Sequence, residues 1–272
     1  MNSKKLLVYL IIPVGVSLAL NAMYFSGNIV LQRIVVPNLP PLPIQDWREF
    51  GLIESLQHLL LLGMVCVAVA GVCRKKWGVE RLAFAWVALA SLFVLLEEVD
   101  YGTTFYEYAT TPRACGWFTP RSEWSPDLIA RMPNEASFSL HNRLDLTDLL
   151  KHVGDGLLAL AFGVLPLVAL RAKRPWLQYI APDRWAVLAL AAVLALRTMT
   201  HQLGHWEMNL IKQAQETGTP ILREIGAVSK NLSEFRELNI YYLFLVHLAT
   251  VVFLRHSPAE GAAEGALGPS RG

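Results

Sequence analysis

The chain reads as all-α: a polytopic membrane protein with six transmembrane helices and both termini cytoplasmic. Three observations predict this. Its 272 residues are 54% hydrophobic and only 17% charged, below the roughly 25% charge usual in soluble domains. Several apolar runs reach the ~20 residues that cross a bilayer as helix. Lys and Arg gather in every second connection, as the positive-inside rule requires. No strand-like alternation competes.

The spans are expected at Leu6–Phe25, Phe50–Cys73, Leu82–Val99, Leu146–Leu170, Trp185–His205 and Phe235–Leu254. Lys4 and Lys5 precede the first span. Arg74, Lys75, Lys76 and Arg81 fill the second turn, and Arg171, Lys173, Arg174 and Arg184 the fourth. These segments alternate correctly to share the cytoplasmic face. Residues 1–257 form one membrane domain, with outer loops at 26–49, 100–145 and 206–234. Residues 258–272 are poor in apolar bulk and are expected to be a disordered tail. The first apolar run also fits a signal peptide, with Lys4 and Lys5 before it and small residues near Ala22.

The outer loops differ in character. Pro37, Pro40, Pro41 and Pro43 make the first extended. The second is aromatic, with Tyr101, Phe105, Tyr106, Trp117 and Trp124. It reads as a headgroup-interface belt or as a lid over a site. In the third, residues 209–229 read as partly helical and lying on the membrane.

A net charge of +2 without a dense basic cluster gives no nucleic-acid footprint. Cys66 and Cys73 lie in the second span and Cys115 in a loop, with no paired metal or redox spacing. The two span cysteines read as buried small residues.

Ionisable residues inside spans cost about 2.5–3.5 kcal/mol each at the helix centre, so they mark function by default. Here they gather toward the outer helix ends. Glu54 and His58 are four apart and share a face of span two, as a hydrogen-bonded pair or as ligands to one metal. Span three ends Glu97-Glu98-Val99-Asp100, where the helix dipole disfavours negative charge and calls for a nearby cation. Glu98 is expected to face a neighbour such as Arg197. Asp145, Asp148, His152 and Asp155 step by three, four and three along span four. Capping accounts for the first two, but not for His152 and Asp155.

His201 and His205 stand at i and i+4 on span five, a spacing that presents two imidazoles to one metal. Gln202 replaces the Glu that follows the first His in the common zinc-protease form. On span six, Asn231 and Glu234 have the spacing of a capping box; Glu237 and Asn239 lie deeper. His141 falls just before span four, within reach of the outer ends. His247 reads as a core histidine, and His256 as cytoplasmic.

Together these residues predict an outward-facing centre. His201, His205, His152, His58, His141 and Glu237 are the candidate metal ligands, and Glu98, Asp155 and Glu54 the candidate catalytic acids or bases. Zinc is expected ahead of iron. A bound metal would bring the pKa of its water near 7, and a membrane lipid or lipid-like substrate would enter laterally. The enzyme expected is a metal-dependent membrane hydrolase, with a carboxylate-rich two-metal oxidase as the alternative of the same class. Two other readings stay open: a non-catalytic assembly subunit whose acids and histidines clamp helices, and an ion-coupled transporter. The transporter is weakened by the apolar inner halves of the spans and the lack of an inverted repeat.

Four segments carry a resemblance: Glu49-Phe50-Gly51-Leu52-Ile53-Glu54, Leu96-Glu97-Glu98-Val99-Asp100-Tyr101-Gly102, Ser139-Leu140-His141-Asn142 and Glu234-Phe235-Arg236-Glu237-Leu238-Asn239. They resemble an uncharacterised family of bacterial multi-span membrane proteins, with Asp100-Tyr101 standing where that family shows Ser-Trp. The resemblance implies a bacterial inner-membrane location and points to Glu54, Glu98, His141 and Glu237, without implying a reaction. A weaker likeness is to intramembrane zinc amidases of the alkaline ceramidase type. It implies roles for Ser55, His58, Asp100, His201 and His205, with the Ser55–His58 step one residue short of that pattern.

Overall fold

A computed structural model describes residues 3–35, 52–99, 101, 153–154, 156–172, 174–182, 184–218 and 228–256. Every element among them is helical. In chain order they are α1 (Ser3–Tyr24), α2 (Ile29–Val35), α3 (Leu52–Arg74), α4 (Gly78–Glu98), α5 (Gly156–Ala172), α6 (Pro175–Ile180), α7 (Arg184–Thr217) and α8 (Val228–Ala249). A wider-turned stretch, Thr250–Leu254, extends α8. Five of these helices carry stretches long and apolar enough to span a membrane. The protein is thus a multi-pass helical membrane protein by length and composition. Of the expected fourth span, the described part is the shorter apolar helix α5.

These helices are apolar toward lipid as well as inward, as membrane helices are. Leu59, Trp86, Leu89 and Leu170 point away from the bundle, each more than half exposed. Cys66 and Cys73 also face outward as free thiols. This corrects the expectation that they are buried: on a lipid-facing surface a small apolar side chain needs no protein partner.

Helix α8 is the central element. It packs against α3 on one side and α7 on the other, while α1 lies against both α7 and α8. Helix α4 pairs with α3 as an antiparallel hairpin, and α5 packs on α7. Three apolar clusters fill the bundle. One holds Leu20, Tyr24, Ile53, Phe235 and Leu238. The second holds Tyr9, Phe162, Ala186, Ala189 and Leu243. The third holds Ala68, Phe84, Leu248 and Val251. Close approach of α3 and α4 depends on Gly71, where an added Cβ would stand 2.7 Å from Phe84 Cγ. Small residues let membrane helices pack this way.

Two helices widen locally before a proline. In α1 the widened turn covers Leu7–Ile11, ahead of Pro13. In α5 it covers Ala159–Val164, ahead of Pro166. The N–H groups of Ile12 and Leu165 reach back five residues, to the carbonyls of Leu7 and Leu160. A proline ring clashes with the carbonyl four residues earlier and supplies no N–H. A wider turn relieves that clash while keeping the neighbouring amides bonded.

The chain differs from the sequence expectation at two helix ends. Span five does not stop at His205: α7 runs unbroken to Thr217, 34 residues in all. At 1.5 Å per residue it is about 50 Å long, well beyond a ~30 Å hydrocarbon core. The start of the segment expected as the third outer loop therefore continues α7 rather than forming a separate surface helix. At the other end of that loop, α8 begins at Val228. Asn231 consequently lies inside the helix and does not cap it.

Candidate functional site

The two ends of the bundle differ in charge. At one end the α3–α4 turn, the α6 connection and the tail of α8 meet. Lys75 Nζ donates to the Arg255 carbonyl at 3.0 Å and lies 5.3 Å from the Tyr179 ring centre. Arg255 donates in turn to the carbonyls of Gln178, Tyr179 and Ala181 at 3.0, 2.7 and 2.6 Å. These are orphan carbonyls at the C-terminus of α6, where a cation is favoured. Tyr242 Oη donates to the Val8 carbonyl at 2.7 Å, which docks the start of α1 on α8.

The opposite end is acidic, and three helices build it. Glu54 lies in the first turn of α3, Glu97 and Glu98 close α4, and Glu234 and Glu237 sit in the first half of α8. Glu54 and Glu97 are buried, at 8% and 6% exposure. Phenols and an amide serve the carboxylates. Tyr241 Oη donates to Glu98 Oε1 at 2.8 Å, and Tyr101 Oη donates to Glu97 Oε1. Gln57 Nε2 donates to the Glu234 carbonyl at 3.0 Å and to Glu234 Oε2 at 3.1 Å. Glu98, Glu237 and Glu234 all lie close enough to Tyr241 to act on it electrostatically. The His58 ring bonds to the Glu98 backbone, and Arg236 stands 3.8 Å from Glu237.

Four of the sequence candidates, Glu54, His58, Glu98 and Glu237, therefore share one end of α3, α4 and α8. The expected neighbour of Glu98 is corrected: Arg197 is exposed on α7, and Tyr241 is the donor instead. Glu234, expected to serve a cap, is instead a link between α8 and α3.

His201 and His205 form a separate pair on α7. Both are exposed. Their Nε2 atoms are 2.9 Å apart and the rings meet edge to face with centres 4.4 Å apart. Helical periodicity places them beside an inward stripe of Thr200 and Gly204, which are buried. Their spacing suits two ligands to one metal. Among the described residues, no three of His, Cys, Asp or Glu converge as a metal site. His141, His152 and Asp155 lie outside the described residues.

Sequence reasoning missed a neutral polar chain through the core. Thr200 Oγ1 lies 3.0 Å from Asn21 Oδ1, and Asn21 Nδ2 donates to the Ser17 carbonyl at 2.8 Å. Ser17 Oγ and the Asn239 amide are joined by contacts of 3.0 and 2.7 Å, and Asn239 Nδ2 also donates to the Phe235 carbonyl at 2.8 Å. All four residues are buried, and they tie α1, α7 and α8 together. Asn21 and Asn239 within apolar runs were the available signals. Beside this chain an apolar cleft of about 250 Å³ opens between α1, α3 and α8, with Val16, Leu56, Leu60 and Leu238 in its walls.

Compared with protein-family models, curated proteins and solved structures, the chain matches none.

Proposed function

We propose that this is a six-span membrane protein with cytoplasmic termini, whose acidic, outward-facing end serves a metal-dependent hydrolysis of a lipid or other membrane-borne substrate. The observation that supports it most is the convergence of Glu54, His58, Glu98 and Glu237 from three helices at one end. Groups of this kind are costly in a membrane unless they have work to do. The basic residues at the other end favour the cytoplasm on that side, by the positive-inside rule. That assignment fits the bacterial inner membrane.

In this reading His201 and His205 supply two ligands to a divalent metal, zinc ahead of iron. His152 and His141 are the proposed further ligands, with His58 and Glu237 as the alternatives from the acidic end. The metal would supply an activated water near neutral pH. Glu98, Glu54 and Asp155 are the proposed acids and bases. The cleft between α1, α3 and α8 gives an acyl chain a lateral approach.

The deciding experiment is metal analysis of detergent-purified protein, paired with hydrolysis of a mixed lipid extract before and after chelation. Stoichiometric zinc or iron, lost together with turnover in His201→Gln/His205→Gln, is the expected result. No bound metal and unchanged stability in chelator would sink the hydrolase. One observation favours a second reading, a non-catalytic assembly subunit: Glu97, Glu98 and Glu234 already hold phenol or amide donors. Loss of partner binding without loss of any turnover in the same double variant would establish it.

A further inference from the structure

The cations at the basic end fall into two groups. Lys75 is buried and donates to the Arg255 carbonyl, and Arg255 serves the carbonyls at the end of α6. This group is structural. It fixes the α3–α4 turn, α6 and the α8 tail in one frame, and Tyr179 of α6 packs in the same cluster as Ala68, Phe84 and Val251. The second group, Arg74, Lys76, Arg81, Arg171 and Arg174, is exposed. Among the described residues none of these five is paired with a carboxylate. Glu80, the one acid of the first turn of α4, is half-buried, and the cations outnumber it.

Exposed apolar side chains stand among these cations. Trp77 and Val79 lie where α4 begins, Trp176 and Ile180 are four apart on α6, and Phe253 and Leu254 end the α8 tail. The Arg74 guanidinium carbon lies 5.2 Å from the centre of the Phe253 ring, a stack that orients its planar fork.

Helix geometry explains only part of this. The C-terminus of α3 favours Arg74, but Lys76 and Arg81 flank the N-terminus of α4, where the dipole disfavours a cation. A charge bias between the two sides of a membrane needs only that cations lie on one side. It does not require tryptophans beside them on a frame fixed by Lys75 and Arg255. Indole rings settle at the headgroup level of a bilayer, and Lys and Arg at that level attract anionic lipid.

We infer that the α3–α4 turn is a binding site for an anionic phospholipid. Arg74 and Lys76 take the phosphate, for which the arginine fork is suited. Arg81 adds to the positive field, and Trp77, Phe253 and Leu254 lie along the acyl chains. The site is independent of the reading given to the acidic end.

The test titrates the full chain in uncharged micelles with short-chain phosphatidylglycerol, short-chain phosphatidylcholine, glycerol phosphate and soluble polyglutamate. A Lys or Arg near an anionic lipid surface contributes about fivefold in affinity. Phosphatidylglycerol is therefore expected to bind saturably and about twentyfold more tightly than phosphatidylcholine. Arg74→Gln/Lys76→Gln should remove most of that preference. Lys76→Gln/Arg81→Gln should lower it as well, without touching the Phe253 stack. Arg197→Gln/Lys212→Gln removes the same charge from the exposed side of α7 and should leave the preference intact. Equal binding of the two lipids by the unaltered protein overturns the proposal, whatever the variants do. So does a preference that survives in both folded turn variants, or one lost equally in the α7 variant, which would mark net charge alone. Glycerol phosphate bound as tightly as phosphatidylglycerol overturns the lipid in favour of a free anion. Polyglutamate bound more tightly than the lipid overturns it in favour of an acidic protein segment.

Discussion

The basic and acidic ends of the bundle solve the same problem in different ways. Both place charge next to hydrocarbon. At the basic end, charge is matched to backbone: Arg255 closes three carbonyls around the end of α6, and Lys75 closes a fourth. Those carbonyls need donors in any case, because helix ends leave them orphaned. At the acidic end, carboxylates are matched to side chains, Tyr241, Tyr101 and Gln57. Helix geometry does not demand these groups, and Gln57 keeps an acceptor unfilled. The difference teaches where to look for function. The buried cations of the basic end are accounted for by architecture, and the acidic end is not.

The largest effect that separates the ends is expected from Gly71→Leu. It forces a side chain into the Phe84 ring and should cost about 3 kcal/mol by overpacking. Thermal unfolding in micelles measures it; a cost below 1 kcal/mol would mean that α3 and α4 slide apart freely. Arg255→Met comes next. It removes charged bonds to three carbonyls, each bond worth about 1.5–3 kcal/mol in isolation, and a net loss of about 2 kcal/mol is expected, with binding at the acidic end unchanged. A change in lipid binding there would break the separation drawn between the ends.

Asn239→Leu removes the α8 end of the Thr200–Asn21–Ser17–Asn239 chain. Intramembrane hydrogen bonds average about 0.6 kcal/mol and reach about 1.7, so about 1–2 kcal/mol is expected, read as earlier release of α1 in limited proteolysis. Tyr241→Phe is the smallest, about 1 kcal/mol. Its more telling readout is turnover or ligand binding: a change there without a matching loss of stability marks Glu98 as part of a working site, and no change in either marks the pair as a clamp.

Much of the fold was legible in the sequence. Apolar runs and the alternation of Lys and Arg predict the long helices, and five appear among the described residues. Helix ends were less legible. Polar residues beyond His205 end the hydrophobic signal, yet α7 continues because nothing breaks it before Gly218, at φ +66°. Asn231 has the spacing of a cap but lies within α8. The site was partly legible. Ionisable residues stand out against hydrocarbon, so Glu54, His58, Glu98 and Glu237 could be picked one by one. Gln57, Ser17 and Thr200 carry no charge and do not stand out; Asn21 and Asn239 within apolar runs were the only signals of the polar chain.

The sequence by itself determined the helical class and the unequal charge of the connections. Hydropathy and helix length are local properties, and a bilayer's thickness turns them directly into spans. Only the tertiary structure decided the partnerships. Tyr241 meets Glu98 across 143 positions, and Gln57 meets Glu234 across 177. His201 and His205 meet each other on the outer surface of α7. Which helix packs beside which, and with what rotation, depends on features such as Gly71 under Phe84, and a residue's type does not reveal them. That rotation is why Glu98 is served by a phenol rather than by Arg197.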